Sequence, residues 1–532
     1  MRSGPGDDSR TWWLVFVLVF LASGTWALAT PLMTGPDEGS QVRRAAAAAR
    51  GQWNGVPRDE DPPIFVDVSV PVLYGEATDL QGRCFLGPVL DRSPQEPWIP
   101  HESLAADCPT LPSDRSLVEA PTNQGRGQPF FYVAAGAPTR LHPGPLGAYG
   151  SRLVVSLITA ALVASAARTV GSSRWPRLAG LGLLATLTPV VVYLAGSTNP
   201  ASIEIAAAVG AWAAGSVLVS GVRSDLEGRL VARTGVALCV LVVCRGLSPA
   251  FGAVIVISLA WMAGWARGVD LLRSRPVQLL AVALGACTAA SAAWLLHIQT
   301  VFPPPDRVAR GWVAAAGDLG WYLHQCIGVF GNNEVELPIA VSGGWMVLAV
   351  AIVVFSAAMC LRAGVRSPRA AVVAVAALTG GVAMCVTAEG LDVPSIGFFW
   401  QGRYALPLMF GGLVAATFSA GPEPSRWGRF MQVGRLSIVV AVVFTHLWGF
   451  LLVVRHHGGV GSESVGAIDA LFRTAWDPPV PIWLAFMIYA VALTLLGLIL
   501  TGMRPSGGTS TEPLPADRPS RPTSDDAPSK VA

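Results

Sequence analysis

The chain has 532 residues, of which 52% are hydrophobic and only 13% charged, and its mean hydropathy is +0.51. Soluble domains carry about 25% charged residues, so a water-soluble globule is excluded. The formal charge of +3 says little about partners; the basic residues are almost all arginine, Lys530 being the one lysine, and no nucleic-acid partner is expected.

Apolar runs of bilayer length, about 20 residues, recur along the chain. They predict an all-α polytopic membrane protein with about twelve passes: 12–29, 148–168, 178–196, 201–220, 234–247, 249–265, 277–298, 343–361, 370–388, 403–420, 436–454 and 482–502. Residues 1–11 are then a cytoplasmic N-terminus and 12–502 the transmembrane domain. The tail 503–532, rich in Pro, Ser, Thr and Asp, is expected to be cytoplasmic and disordered. The first pass is read as a retained helix and not a signal peptide, because its apolar stretch is long and Pro31 and Thr34 make a poor cleavage site.

A large first loop, 30–147, follows and is expected outside the cytoplasm. It opens with Thr34-Gly35-Pro36-Asp37-Glu38, ahead of a helical run from Gln41 to Arg50. Acids held beside a membrane helix are costly near lipid and well placed for chemistry at the bilayer surface. Asp37 and Glu38 are therefore the candidate catalytic carboxylates, suited to take a proton from an acceptor hydroxyl. The competing reading is local: Thr34-x-x-Asp37 has capping-box spacing, and acids in a first turn complement the helix dipole.

Asp59, Glu60 and Asp61 read as a solvated turn, and Cys84 and Cys108 form a plausible disulfide if the loop is extracytoplasmic. Gln128 to Tyr132 is expected to close the loop onto the membrane. The remaining cysteines lack C-x-x-C spacing, so no metal site is assigned. No cofactor is required by the sequence, and a divalent cation is left open.

Arginine-rich short loops mark the cytoplasmic side: Arg174 and Arg177, Arg223 to Arg233, Arg267 to Arg275, Arg362 to Arg369, and Arg426 to Arg435. Both termini then lie in the cytoplasm. Two of these loops flank 234–265, which must cross twice or dip and return, with Arg245 near the outer tip facing a cavity or an anionic group. Asn199-Pro200 is an outer turn, and Glu204, one helical turn further in, should face the interior and find a partner. A second extracytoplasmic loop, 299–342, contains an amphipathic stretch from Val308 to Phe330. His324 and His446 receive no role. Late in the chain, Gln401-Gly402-Arg403-Tyr404 begins the tenth pass, and Arg403 has two readings: snorkelling to lipid head groups, or pairing its fork with a phosphate, with Gln401 beside it, Gly402 permitting close backbone approach and Tyr404 offering a stacking face.

Taken together, Pro36-Asp37-Glu38, Pro129 with Tyr132 and Arg152, Asn199-Pro200, and Trp400-Gln401-Gly402-Arg403-Tyr404-Ala405-Leu406-Pro407 resemble the bacterial domain-of-unknown-function 2142 membrane proteins. That family looks like a branch of the GT-C glycosyltransferases. The resemblance implies a polyprenyl-phosphate-linked sugar as donor, a glycan or lipid of the cell envelope as acceptor, and an active site outside the cytoplasm. It also implies that Asp37 is the base, Glu38 its neighbour, and Arg44 the basic residue that follows. Members often carry histidine three residues after the acid pair, where this chain has Gln41. The alternatives are a transporter or flippase for a lipid-linked intermediate, which would depend on Glu204 and Arg245, and a non-catalytic envelope scaffold.

Overall fold

Within a bilayer every backbone polar group must be paired inside the chain, which favours helices. The structure, a computed structural model, describes residues 5–58, 65–75, 115–125, 127–221, 224–298, 308–331, 335–362, 368–396, 401–420, 428–458, 466–474, 476 and 478–502. Asp59, Glu60, Asp61, Cys84, Cys108 and the tail lie outside the described residues. The helices are α1 (Pro5–Ala29), α2 (Glu38–Ala49), α3 (Pro129–Leu141), α4 (Pro145–Val170), α5 (Pro176–Thr186), α6 (Pro189–Ala195), α7 (Pro200–Ser220), α8 (Glu227–Val242), α9 (Ser248–Arg273), α10 (Arg275–Ile298), α11 (Val308–Gly317), α12 (Leu319–Gly328), α13 (Ile339–Arg362), α14 (Arg369–Ile396), α15 (Leu406–Ser419), α16 (Gly428–Gly458) and α17 (Ile482–Gly502).

Nine described helices are long and apolar enough to cross a membrane: α1, α4, α7, α9, α10, α13, α14, α16 and α17. The bent pair α5–α6, with 68° between its halves, makes a tenth. The difference from twelve lies at 234–247 and 403–420. There α8 has 16 residues and α15 has 14, both short of a bilayer, because the apolar runs continue into a turn at Arg245 and a 3-10 turn at Gly402–Ala405. Helix α7 is the central one, 94% buried; α10 is 6% buried and presents its apolar face outward, as a lipid-facing helix does.

The break between α5 and α6 is held by polar contacts. Thr188 Oγ1 accepts from the Val191 amide and donates to the Cys326 carbonyl. His446 contacts the freed Leu187 carbonyl through Nε2 (2.9 Å) and the Tyr489 hydroxyl through Nδ1 (2.7 Å). Beside it, Trp26 packs against Tyr193, Phe330, Phe450 and Tyr489 with ring centroids 4.9–5.8 Å apart, locking α1 to α6, α16 and α17. His446 thus has a structural place that the sequence did not reveal.

The described part of the first loop adds a small antiparallel sheet to the helical body, β1 (Val56–Pro57), β2 (Val66–Pro71) and β3 (Leu117–Thr122), in that order. Arg43 of α2 donates to the carbonyls of Tyr74, Gly75 and Pro121, tying the sheet to the helix that carries the acid pair. Val308 to Phe330 forms α11 and α12, ending in a short strand paired with Val335–Glu336.

Candidate functional site

The acid pair sits where α1 ends and α2 begins, and its two members have different surroundings. Glu38 is buried, and both of its oxygens are engaged. Arg152 of α4 donates to Oε1 (2.7 Å) and Oε2 (2.6 Å), the Thr198 amide donates to Oε1 (2.9 Å), and the Gly35 amide donates to Oε2 (3.0 Å). Burial pushes this carboxyl up, but the charge and hydrogen bonds of Arg152 outweigh it and hold the group below its ordinary 4.5. Arg152 spends its other donors on the carbonyls of Ala27, Thr30 and Pro31. Glu38 is therefore the knot that joins the end of α1, the start of α2, α4 and the turn before α7.

Asp37 stands on that knot in a left-handed conformation, φ 55° and ψ 10°. Non-glycine residues adopt it at a cost, Asp among the least penalised, and such outliers concentrate at functional sites. Asp37 does stand at the N-cap position and Glu38 in the first turn of α2, but the capping box does not form: the Asp37 side chain makes no capping hydrogen bond, and the Thr34 hydroxyl donates to the Pro31 carbonyl. The left-handed turn instead directs the carboxylate away from α2, and Oδ2 accepts from Nη2 of Arg403 at 2.5 Å. These two residues are separated by 366 positions. The Asp37 side chain remains 26% exposed, against 1% for Glu38. Asn199 holds the turn from the other side, its Nδ2 donating to the Pro36 carbonyl while its Oδ1 caps α7.

Arg403 lies in the 3-10 turn before α15. A Cβ on Gly402 would come within 2.0 Å of the Tyr322 carbonyl, and the Gly402 amide donates to Gln325 Oε1 (2.7 Å), so glycine is required for α12 to press against this turn. The Arg403 Nε is buried and has no partner among the described residues. Gln401 is half-buried, and its carbonyl accepts from the Tyr404 amide. The Tyr404 ring lies 5.4 Å from the Arg403 guanidinium and 4.5 Å from that of Arg245. Two cations therefore meet one aromatic ring beside Asp37.

Arg245 sits in the turn between α8 and α9, as the hairpin reading expected. It also pairs with Glu204 (3.2 Å), whose other oxygen accepts from the Ser248 hydroxyl (2.6 Å). Glu204 thus has the partner its position demanded and belongs to the same cluster as Asp37 and Arg403. Gln128 fastens the hairpin, its Nε2 donating to the Arg245 carbonyl and to Ser291 Oγ of α10. The Tyr132 hydroxyl donates to Gln41 Oε1 (2.6 Å); burial pushes its phenol well up, so it acts as a neutral donor. Arg44 is fully buried. It donates to the carbonyls of Gln52 and Gly127 and lies over the rings of Tyr132 and Trp294, which makes it a clamp on the loop and not an open cation. Among the described residues there is no group of three or more His, Cys, Asp or Glu placed to hold a metal ion.

Asp37, Glu38, Asn199, Glu204, Arg245, Arg403 and Tyr404 thus converge, with Gln401 and Arg44 at the margin. Sequence reasoning missed the reach of Arg152 to Ala27, Thr30, Pro31 and Glu38 and the anchoring role of Gln128. The signal for both was a buried polar residue opening or entering a helix without a local partner.

Residues 20–411 match the family described as "Predicted membrane protein (DUF2142)". Among solved structures the fold is similar to ArnT from Cupriavidus metallidurans. The apo state matches at a TM-score of 0.37 and 13% identity, with 94% of this chain and 78% of that one covered. The state bound to undecaprenyl phosphate matches at 0.41 and 16%, with 93% and 77% covered. Scores of this size mark a loose likeness. A comparison with curated proteins finds no match.

Proposed function

The chain belongs to the DUF2142 family of predicted membrane proteins, and we propose that it is a GT-C-like glycosyltransferase. In this reading it moves a sugar from a polyprenyl-phosphate carrier to a hydroxyl of an envelope glycan or lipid at the extracytoplasmic membrane surface. The observation that carries the reading is the Asp37–Arg403 pair: a partly exposed carboxylate and a guanidinium brought together from distant parts of the sequence beside a second arginine.

The chemistry follows from those groups. The acceptor oxygen attacks the anomeric carbon, and Asp37 takes its proton as the new C–O bond forms. The bond from that carbon to the phosphate oxygen breaks, and its electron pair stays on the phosphate. Arg403 and Arg245 would neutralise that developing charge. In the resting site Arg403 holds Asp37; a bound phosphate would compete for the fork and release the carboxylate. Glu38 positions the turn and takes no proton, because its oxygens are already committed. An apolar groove of about 620 Å³, lined by Phe130, Val133, Ala290 and Trp294, begins next to Gln128 and suits a prenyl chain.

The transporter alternative separates Glu204 from Asp37, whereas here both belong to one cluster. The test is complementation of a strain lacking the protein with Asp37→Asn, envelope glycans being profiled by mass spectrometry. Loss of one glycan feature at normal protein levels supports the transferase. A wild-type profile removes Asp37 as the base and with it this reading.

A further inference from the structure

A second polar cavity lies at the other end of α7. Asn199 opens α7 at the site, and Ser216 lies 17 residues further on, so the two are separated by about 25 Å of helix. Ser216 lines a cavity of about 280 Å³ together with Ser173, Arg174, Trp175, Met262 and Arg369. No step proposed above uses it.

Three features show that it is built to hold something. The first is unmet hydrogen bonding. Trp175 and Ser216 are each 1% exposed, yet the indole Nε1 and the Ser216 Oγ have no partner among the described residues, nor does the buried Ser173 Oγ. A buried unpaired donor costs about 1–3 kcal/mol, and a mid-helix serine would ordinarily bond to its own preceding turn. The second is charge. Arg174 and Arg369 stand at the rim, and among the described residues no carboxylate lines the cavity. The third is shape. Helix α9 is kinked at Gly264, at φ 70° and ψ 173°, and a Cβ there would lie 1.8 Å from Arg369 Nη1. The kink makes room for that guanidinium. Arg369 and Ala370 also begin α14, whose N-terminal amides favour an anion.

We infer that this cavity is a binding site for a phosphoryl oxyanion, with Trp175, Ser173 and Ser216 as floor donors and Arg174 and Arg369 as the charged rim. The phosphate comes either from the headgroup of an anionic lipid or from a free phosphorylated solute; both present the same oxygens. Loops rich in arginine attract anionic lipid in general. The proposal differs in requiring a defined place with a floor.

The test uses the purified full-length protein and native mass spectrometry, with phosphatidylglycerol and phosphatidylcholine as lipid probes and inorganic pyrophosphate as the soluble one. The wild type should retain phosphatidylglycerol over phosphatidylcholine. Arg174→Gln, Arg369→Gln and Ser216→Leu should each weaken retention by about tenfold, the loss of one charge-assisted contact or of the floor. Arg273→Gln, which removes the same charge from the same face away from the cavity, should leave retention unchanged. Displacement by pyrophosphate supports the site with a soluble ligand, and retention against it supports the site with a lipid headgroup. Equal loss in Arg273→Gln, or full retention in Ser216→Leu with an unchanged melting temperature, overturns the proposal.

Discussion

Arg152→Met tests the knot beneath the site. Arg152 and Glu38 are each about 1% exposed, and the substitution keeps much of the side-chain volume while removing every donor. Breaking a buried ion pair from one side costs about 3–5 kcal/mol, because the remaining charge is left without compensation. Here the Ala27, Thr30 and Pro31 carbonyls lose their donor too, so the total should reach about 4–6 kcal/mol. That is a large share of a stability of about 5–15 kcal/mol. The assay is thermal unfolding in detergent, followed by tryptophan fluorescence, at several pH values.

In the wild type the Glu38 carboxyl is held below 4.5, so its stabilisation is present above that pH and lost as pH falls through the depressed value. In Arg152→Met only burial and two amide donors act on Glu38, and its carboxyl rises. The penalty of the variant should then be full at neutral pH and shrink on acidification. Adding Glu38→Gln to the variant should recover part of the loss, since the uncompensated charge disappears. A melting curve for Arg152→Met within about 1 kcal/mol of wild type at pH 7 would refute the reasoning, as lost donors alone should cost more.

Asn199→Ala removes both the contact to the Pro36 carbonyl and the cap of α7, and should cost about 1–2 kcal/mol, read as a lower melting temperature. Arg403→Lys keeps the charge but loses the fork; transfer activity should fall by more than tenfold while the protein still folds, measured by glycan profile beside a melting curve. Glu204→Gln should weaken the hold on Arg245 while leaving the proposed base in place, giving a smaller loss of product than Asp37→Asn.

Much of the site was legible because membrane chemistry makes polar residues conspicuous. Asp37, Arg245, Glu204 and Arg403 each interrupt apolar sequence, and each interruption needs a partner. What the sequence could not supply was pairing. Nothing local says that Asp37 meets Arg403 across 366 positions, or that Glu38 is sealed by Arg152 while its neighbour stays open. Local rules also misassigned Thr34, whose hydroxyl bonds backward to Pro31 and leaves Asp37 free to adopt a left-handed turn. Hydropathy gave passes at 234–247 and 403–420 where α8 and α15 have 16 and 14 residues, since it registers apolar length and not the turns at Arg245 and Gly402. The small sheet β1–β3 escaped because its strands are two to six residues long and proline-bearing.

The division of labour between Asp37 and Arg403 is the central claim, and one experiment addresses it directly. Protein reconstituted into liposomes is supplied with the lipid-linked donor that complementation identifies, and donor binding and transfer rate are measured for wild type, Asp37→Asn and Arg403→Gln. Asp37→Asn should bind donor at least as well as wild type, because Arg403 is released, and should transfer about 10²–10⁴-fold more slowly. Arg403→Gln should lose donor binding. Transfer at the wild-type rate by Asp37→Asn, or undiminished donor binding by Arg403→Gln, would contradict the account.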